Sequence, residues 1–337
     1  MPEREAREYP GVPLGCRGLF SPHVEEYASR RVQAVAVMRS VLLALSRNRT
    51  ANRLAKKYGL RFGATRFVAG DTIEKAVECI RDLNRRGIMG ALNYLGEFEN
   101  TEQGAAEKTR KLIETLDAIH SSGIDCNLTV KITSLGLDIS KEICVANLTK
   151  IVEHAKKYNI FVRIEMEDYS HCQQTLDIYK EMRQKYDNVG AVIQGYLYRS
   201  EKDIEDLNQY KANLRLVKGA YKESAEVAFP KKADVDRNYE KIIKMHLSNG
   251  NYAAIASHDE AIIEKVKQFV KEKNIPKDQF EFQMLLGIRS DLAQKLANEG
   301  YRVRIYVPYG TDWYGYFMRR LAERPANVWF VLKNLFR

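Results

Sequence analysis

Near the end of the chain, in the run WYGYFMRRLAERP, the adjacent arginines Arg319 and Arg320 stand among Trp313, Tyr314, Tyr316 and Phe317. Cationic charge held among rings needs an anion beside it, because desolvating an unpaired charge is costly. A guanidinium grips a carboxylate or phosphate bidentately, so that anion is either a protein carboxylate or a ligand. Neighbours on a helix differ by about 100° in direction. One arginine is therefore expected to pair within the protein while the other faces a pocket; the bland alternative is a helix-surface charge run.

A third arginine invites the same question. In NLRLVKGAY, Arg215 alternates with Leu214 and Leu216, which reads as one face of a strand buried on both sides. A charge there must meet an acceptor. Gly219 follows, where a missing side chain would let a flat ligand approach the backbone. Other polar residues close short apolar runs in the same way: Glu97, Lys131, Glu165, Gln194, Lys218, His258, Gln283 and Tyr306. Singly each has an ordinary structural reading, a solvated strand end or a satisfied histidine. Together they describe one rim. Were Lys131 to share a cavity with a guanidinium, two like charges about 4 Å apart would repel by about 4 kcal/mol at an intermediate dielectric. Such a cluster expects an anionic ligand.

The elements that would carry this rim alternate. Eight β-branched or apolar runs recur roughly every 30 residues: IMGALNYLG, NLTVKITSLG, FVRIEMED, GAVIQGYLY, LRLVKGAY, YAAIASHD, FEFQMLL and VRIYVPYG. Between them lie helical patterns such as AAEKTRKLIETLDAIHSSG, EICVANLTKIVEHAKKYN and DEAIIEKVKQFVKEKN, the last stopped by Pro276. Eight such units predict an α/β fold, a (β/α)8 TIM-type barrel over 88–337, with catalytic groups at the C-terminal strand ends. An open doubly wound sheet would favour a GxGxxG turn, and the chain has none. Residues 38–87 read as an N-terminal helical arm. Residues 1–37, with five arginines and no lysine, read as an irregular extension, either native or an upstream segment preceding a start at Met38.

Composition narrows the function. Among 337 residues, 45% hydrophobic and 29% charged describe a globular protein. The net charge of +10 suits an anionic partner or merely a lysine-rich surface. Lysine and arginine are spread over every helix, which argues against nucleic acid. Five scattered cysteines without a CxxC pair suit reduced thiols in a cytoplasmic setting, and six histidines without ligand spacing support no metal site. AVAVMRSVLLAL is too short for a membrane span and carries Arg39. The arm is basic and amphipathic, so it docks on its own domain or makes peripheral contact with the inner face of the cell membrane.

RLVKGAY, the later SHD, EFQMLLG and the closing YVPYGTDWYGYFMRRLAERPAN together resemble the proline dehydrogenases, over roughly Met38 to Arg337. The resemblance implies a monofunctional, FAD-dependent enzyme oxidising L-proline to 1-pyrroline-5-carboxylate, the first step of proline catabolism to glutamate. Electrons would pass to a membrane quinone. It implies that Met166, Gln194, Arg215, Val217, Lys218, Gly219, Ala220, Lys232, Ser257 and His258 contact FAD. Lys131, Arg319 and Arg320 would hold the substrate carboxylate, and Tyr221, Leu285, Tyr306 and Tyr316 would wall its ring. Glu97 would pair with Arg319. Arg215 and Glu165 carry the catalytic expectation, with Glu165 positioning Lys131 or the substrate amine; the family usually has aspartate there. Two other readings remain. A strand-end lysine, Lys131 or Lys218, could form a Schiff base in an aldolase-type barrel, and a basic scaffold could bind RNA with strong salt dependence.

Overall fold

The computed structural model describes residues 66–95 and 101–323, except the side chains of 319–323. The 1–37 extension, the arm up to residue 65 and Glu97 lie outside the described residues, as do the side chains of Arg319 and Arg320.

Eight strands form at the eight runs: β1 Met89–Tyr94, β2 Cys126–Val130, β3 Val162–Ile164, β4 Val189–Gln194, β5 Leu214–Val217, β6 Ala253–Ala256, β7 Phe280–Leu285 and β8 Val303–Tyr309. Each pairs in parallel with the next, and β8 closes on β1 through Met89↔Arg304 to Tyr94↔Tyr309. The expected (β/α)8 barrel is therefore the fold.

Helices return the chain between strands: α1 Ile73–Arg85 precedes β1, then α2 Glu102–Ser122, α3 Lys141–Lys157, α4 Tyr169–Lys185, α5 Ser200–Asn208, α6 Lys232–Ser248, α7 Glu260–Glu272, α8 Ser290–Asn298 and α9 Trp313–Glu323. Four of these starts are marked by a capping side chain. Thr101 Oγ1 accepts from Gly104 N at 3.1 Å, and Ser140 Oγ accepts from Glu142 N at 3.1 Å. Asp168 and Asp259 cap α4 and α7 likewise. Each satisfies a donor that the helix cannot. Asn274, with φ 51°, turns the chain just after α7 and ahead of Pro276.

Strand alternation divides the barrel into two environments. Outward residues such as Leu128, Ile164, Leu216, Ile255 and Phe282 are buried against the helices; each contributes roughly 1.5–3 kcal/mol. Helix α1, which the sequence reading placed in the arm, packs on this outer face. A Cβ at Gly90 would lie 2.6 Å from Ile80 Cδ1, so only glycine lets α1 approach β1 so closely. Inward positions carry Arg163, Arg215, Glu281, Gln283 and Arg304, all buried. Beyond β8, α9 seats Trp313, Tyr314, Tyr316, Phe317 and Met318 in a second apolar cluster with Phe67, Val68 and Ile288; Leu95 and Leu285 pack against it. The rings of the opening motif thus anchor the last helix beside a strand end that carries Leu285.

Candidate active site

Arg215 sits inside the barrel, its side chain 5% exposed. Its Nη1 donates to Glu165 Oε1 at 2.5 Å and its Nε to Gln283 Oε1 at 2.6 Å. Nη2 reaches Thr129 Oγ1 at 3.5 Å, and Cζ lies 5.4 Å from the centre of the Tyr306 ring. Strands β2, β3, β5, β7 and β8 therefore converge on one guanidinium. The acceptor demanded by the sequence is found, and it is Glu165. Glu165 thus forms an ion pair with Arg215, whereas Lys131 Nζ lies 3.5 Å from Glu167 Oε1.

Glu167 is the residue that sequence reasoning missed. It is 6% exposed, and its Oε2 accepts from Thr133 Oγ1 at 2.6 Å while Oε1 lies 3.5 Å from Lys131 Nζ. Its backbone carbonyl accepts from Gln194 Nε2 at 3.0 Å. One residue thus ties the β2 end, which carries Lys131, to the β4 end, which carries Gln194. Gln194 Oε1, on the other side of that amide, is buried and accepts no hydrogen bond among the described residues. Met166, between the two glutamates, is also buried.

A second cation stands near Lys131. Lys108 Nζ, on α2, donates to Tyr94 O at 2.9 Å and lies 4.2 Å from the centre of that ring. Burial first, and Lys131 second, push its pKa down to about 8. Such a pair of lysines is the like-charge arrangement that favours an anionic occupant.

Past β5 the geometry changes character. Gly219 has φ +111°, and a Cβ there would fall inside the Tyr196 ring. The space a side chain would take is filled by buried Tyr196, so glycine is needed here on the protein's own account. Val217 is half-buried, whereas Ala220, Tyr221 and Lys232 are exposed. Lys218 Nζ bonds Asp236 Oδ1 at 2.5 Å and Asp259 Oδ2 at 2.9 Å, and Lys232 bonds the other oxygen of Asp236. Burial opposes the charge of Lys218, but the two carboxylates outweigh it and raise its pKa. Ser257 Oγ accepts from Asp259 N at 3.1 Å. His258 Nε2 accepts from Leu285 N at 3.0 Å, which ties the β6 end to the β7 end.

The structure thus brings Lys131, Glu165, Met166, Gln194, Arg215, Tyr306, Leu285 and His258 to one end of the barrel. Tyr316 lies in the α9 cluster against which Leu285 packs. Arg319 and Arg320 belong to α9 by their backbone. Among the described residues no cluster of His, Cys, Asp and Glu could hold a metal, and no helix is long and apolar enough to cross a membrane.

Residues 76–333 match the family model described as Proline dehydrogenase. The chain is 51% identical over 301 residues to Proline dehydrogenase 1 of Bacillus subtilis (strain 168), covering 89% of this chain and 100% of that relative. It is 44% identical over 279 residues to a Proline dehydrogenase of Deinococcus radiodurans, covering 81% of this chain and 90% of the relative. A crystal structure of proline utilization A from Bdellovibrio bacteriovorus, inactivated by N-propargylglycine, superposes with a TM-score of 0.76 at 26% identity. That match covers 85% of this chain and 36% of the other.

Proposed function

The chain belongs to the proline dehydrogenase family, and from that premise we propose that its barrel mouth binds FAD and L-proline side by side and yields 1-pyrroline-5-carboxylate. The observation that carries the reading is the juxtaposition of a buried guanidinium, Arg215, with the orphaned amide oxygen of Gln194 on the neighbouring strand end. A buried acceptor without a donor is costly, and a ring N–H of the flavin would satisfy it. The residues fit the cofactor in a second way: Val217 is the register partner of Gln194 on β5, and Met166 directly precedes Glu167, whose carbonyl Gln194 bonds, so apolar side chains flank that strand end.

FAD would be held by Met166, Gln194, Arg215, Val217, Lys218, Gly219, Ala220, Lys232, Ser257 and His258. The chemistry it supplies when bound is uptake of the hydride leaving the carbon beside proline's nitrogen. The chain's own residues do the rest. Lys131, Arg319 and Arg320 clamp the substrate carboxylate, and orientation of this kind is worth several kcal/mol of barrier. Glu167 keeps Lys131 aimed while Lys108 adds positive potential. Tyr221, Leu285, Tyr306 and Tyr316 enclose the ring and exclude water. Arg215, held by Glu165, places fixed positive charge beside the cofactor, a form of electronic tuning that the protein contributes. The amine proton leaves to solvent, so that loss of a proton and a hydride forms the C=N bond. Electrons then pass to a membrane quinone, which brings the protein to the inner face of the membrane during turnover.

An absorbance spectrum before and after anaerobic addition of L-proline tests this. Flavin bands that bleach on addition are expected. A colourless protein, or bands that proline leaves unchanged, would refute the reading. Trapping of a substrate on Lys131 or Lys218 by borohydride would instead favour the Schiff-base alternative.

A further inference from the structure

Below Arg215 the barrel interior continues as a chain of polar bonds. Gln283 Nε2 donates to Glu281 Oε1. Glu281, 1% exposed, also receives Arg304 Nε at 2.9 Å and Tyr252 OH at 2.9 Å. Arg304 Nη1 donates to Gly90 O at 2.7 Å, which fastens the base of the chain to strand β1.

The polarity of this chain follows from elementary chemistry. An arginine Nε can only donate, so the Gln283 oxygen must face Arg215. Its NH2 must then face Glu281 Oε1, which accepts and whose charge is paired with Arg304. A flip of the Gln283 amide would set two donors against each other at Arg215. Burial works against that charge, but Arg304, Gln283 and Tyr252 outweigh it and hold the Glu281 carboxyl below its ordinary pKa.

We propose that Gln283, anchored by Glu281, is a positioning residue for Arg215 that fixes the plane of its guanidinium for the flavin that would bind beside it. Two short bonds, to Gln283 at Nε and to Glu165 at Nη1, define that plane. Among the described residues the Nη2 edge makes only the long contact with Thr129 and keeps hydrogen-bonding capacity. Barrel interiors are ordinarily filled by branched aliphatic side chains. A buried ionic chain adds no stability over such packing, so a fixed orientation is its use. The proposal rests on reading Arg215 as a neighbour of the flavin.

The test uses the holoenzyme with Gln283→Met, which keeps the volume and removes both bonds. FAD remains bound, and the rate at which proline bleaches it anaerobically falls about tenfold or more, while the apparent affinity for proline changes less than about threefold. The midpoint potential of bound flavin falls by the equivalent of a tenfold shift, about 30 mV for a two-electron couple. Because the effect runs through Arg215, adding Gln283→Met to Arg215→Lys costs no more than about twofold further. Wild-type rate and potential in Gln283→Met, or effects that multiply, overturn the proposal. Should that variant fail to fold, the swap Gln283→Glu with Glu281→Gln keeps an acceptor for Arg215 and a donor below it. It is expected to bleach within about threefold of wild type, and a tenfold loss overturns the proposal. A wild-type protein that proline does not bleach overturns the flavin reading and this inference together; a normal wild type beside an unaffected Gln283→Met overturns the inference alone.

Discussion

On strand β7, Phe280, Phe282 and Met284 join the apolar layer under the helices, while Glu281 and Gln283, between them, bond to Arg304, Tyr252 and Arg215 across the barrel. The same strand thus serves two environments, and β2, β3, β5 and β8 repeat the division with Thr129, Arg163, Arg215 and Arg304 among their buried polar residues. The outer layer is aliphatic and aromatic, and its stability scales with buried area. The inner layer holds the buried ion pairs, and the desolvation of those charges cancels most of what their attraction returns. The contrast separates two duties: the outer face holds the barrel closed, and the inner face aims Arg215 and its neighbours.

Cutting into the outer face is the most severe way to test that separation. Phe282 lies between Phe280 and Tyr301, with ring centroids 5.6 and 5.5 Å away. Phe282→Ala should cost about 3–5 kcal/mol of unfolding free energy, measured by urea titration. Proline KM of the folded fraction should stay where it was. A loss below about 1 kcal/mol, or a KM that moves with it, would mean that the two faces are not separate.

A milder cut falls on the rim, where charge is partly solvated. Glu167→Gln keeps an oxygen for Thr133 but removes the charge that holds Lys131. Proline KM is expected to rise about tenfold, equivalent to about 1.4 kcal/mol of binding, with a much smaller change in kcat. Steady-state kinetics on protein of equal flavin content decides it. An unmoved KM would detach Glu167 from the substrate clamp.

The outer face was the legible one. A period of two marks each strand and a period near 3.6 each helix, so FEFQMLL and EAIIEKVKQFV declare their buried sides without reference to anything distant. The inner face resists such reading, because alternation says that Arg215 points inward but not which acceptor, 68 residues away in Gln283, completes it. In RIEMED the strand ends at Ile164, and local pattern cannot say which of the two glutamates beyond it takes Arg215 and which Lys131. Gly219 is incompletely legible for a related reason. A glycine announces close approach, and only the fold identifies Tyr196 as what approaches.

The smallest expected effect lies outermost, where the loops after β2 and β3 meet. His171 places Nδ1 2.7 Å from Asp168 Oδ1 and Nε2 2.8 Å from Asp138 Oδ1, with Ser170 Oγ also 3.2 Å from Nδ1. A neutral imidazole has one N–H, so both carboxylates are served only when it is protonated. Burial lowers its pKa, but Asp138 and Asp168 outweigh this and raise it above the ordinary 6.5. The sign follows. The folded chain holds this proton at pH values where the unfolded chain has released it. The contribution is complete below about pH 6.5 and is lost as pH climbs through the raised folded value. Because the group is partly exposed, its size stays under about 1 kcal/mol and shrinks with added salt. Urea titrations at about pH 6 and about pH 9 should therefore show wild type losing slightly more stability than His171→Asn across the interval. Equal losses would mean that the rim loops are not tied by this charge. The interior offers the opposite dependence: Glu281, with its pKa lowered, loses its contribution only as pH falls through that lowered value, so the two charge systems weaken at opposite ends of the pH scale.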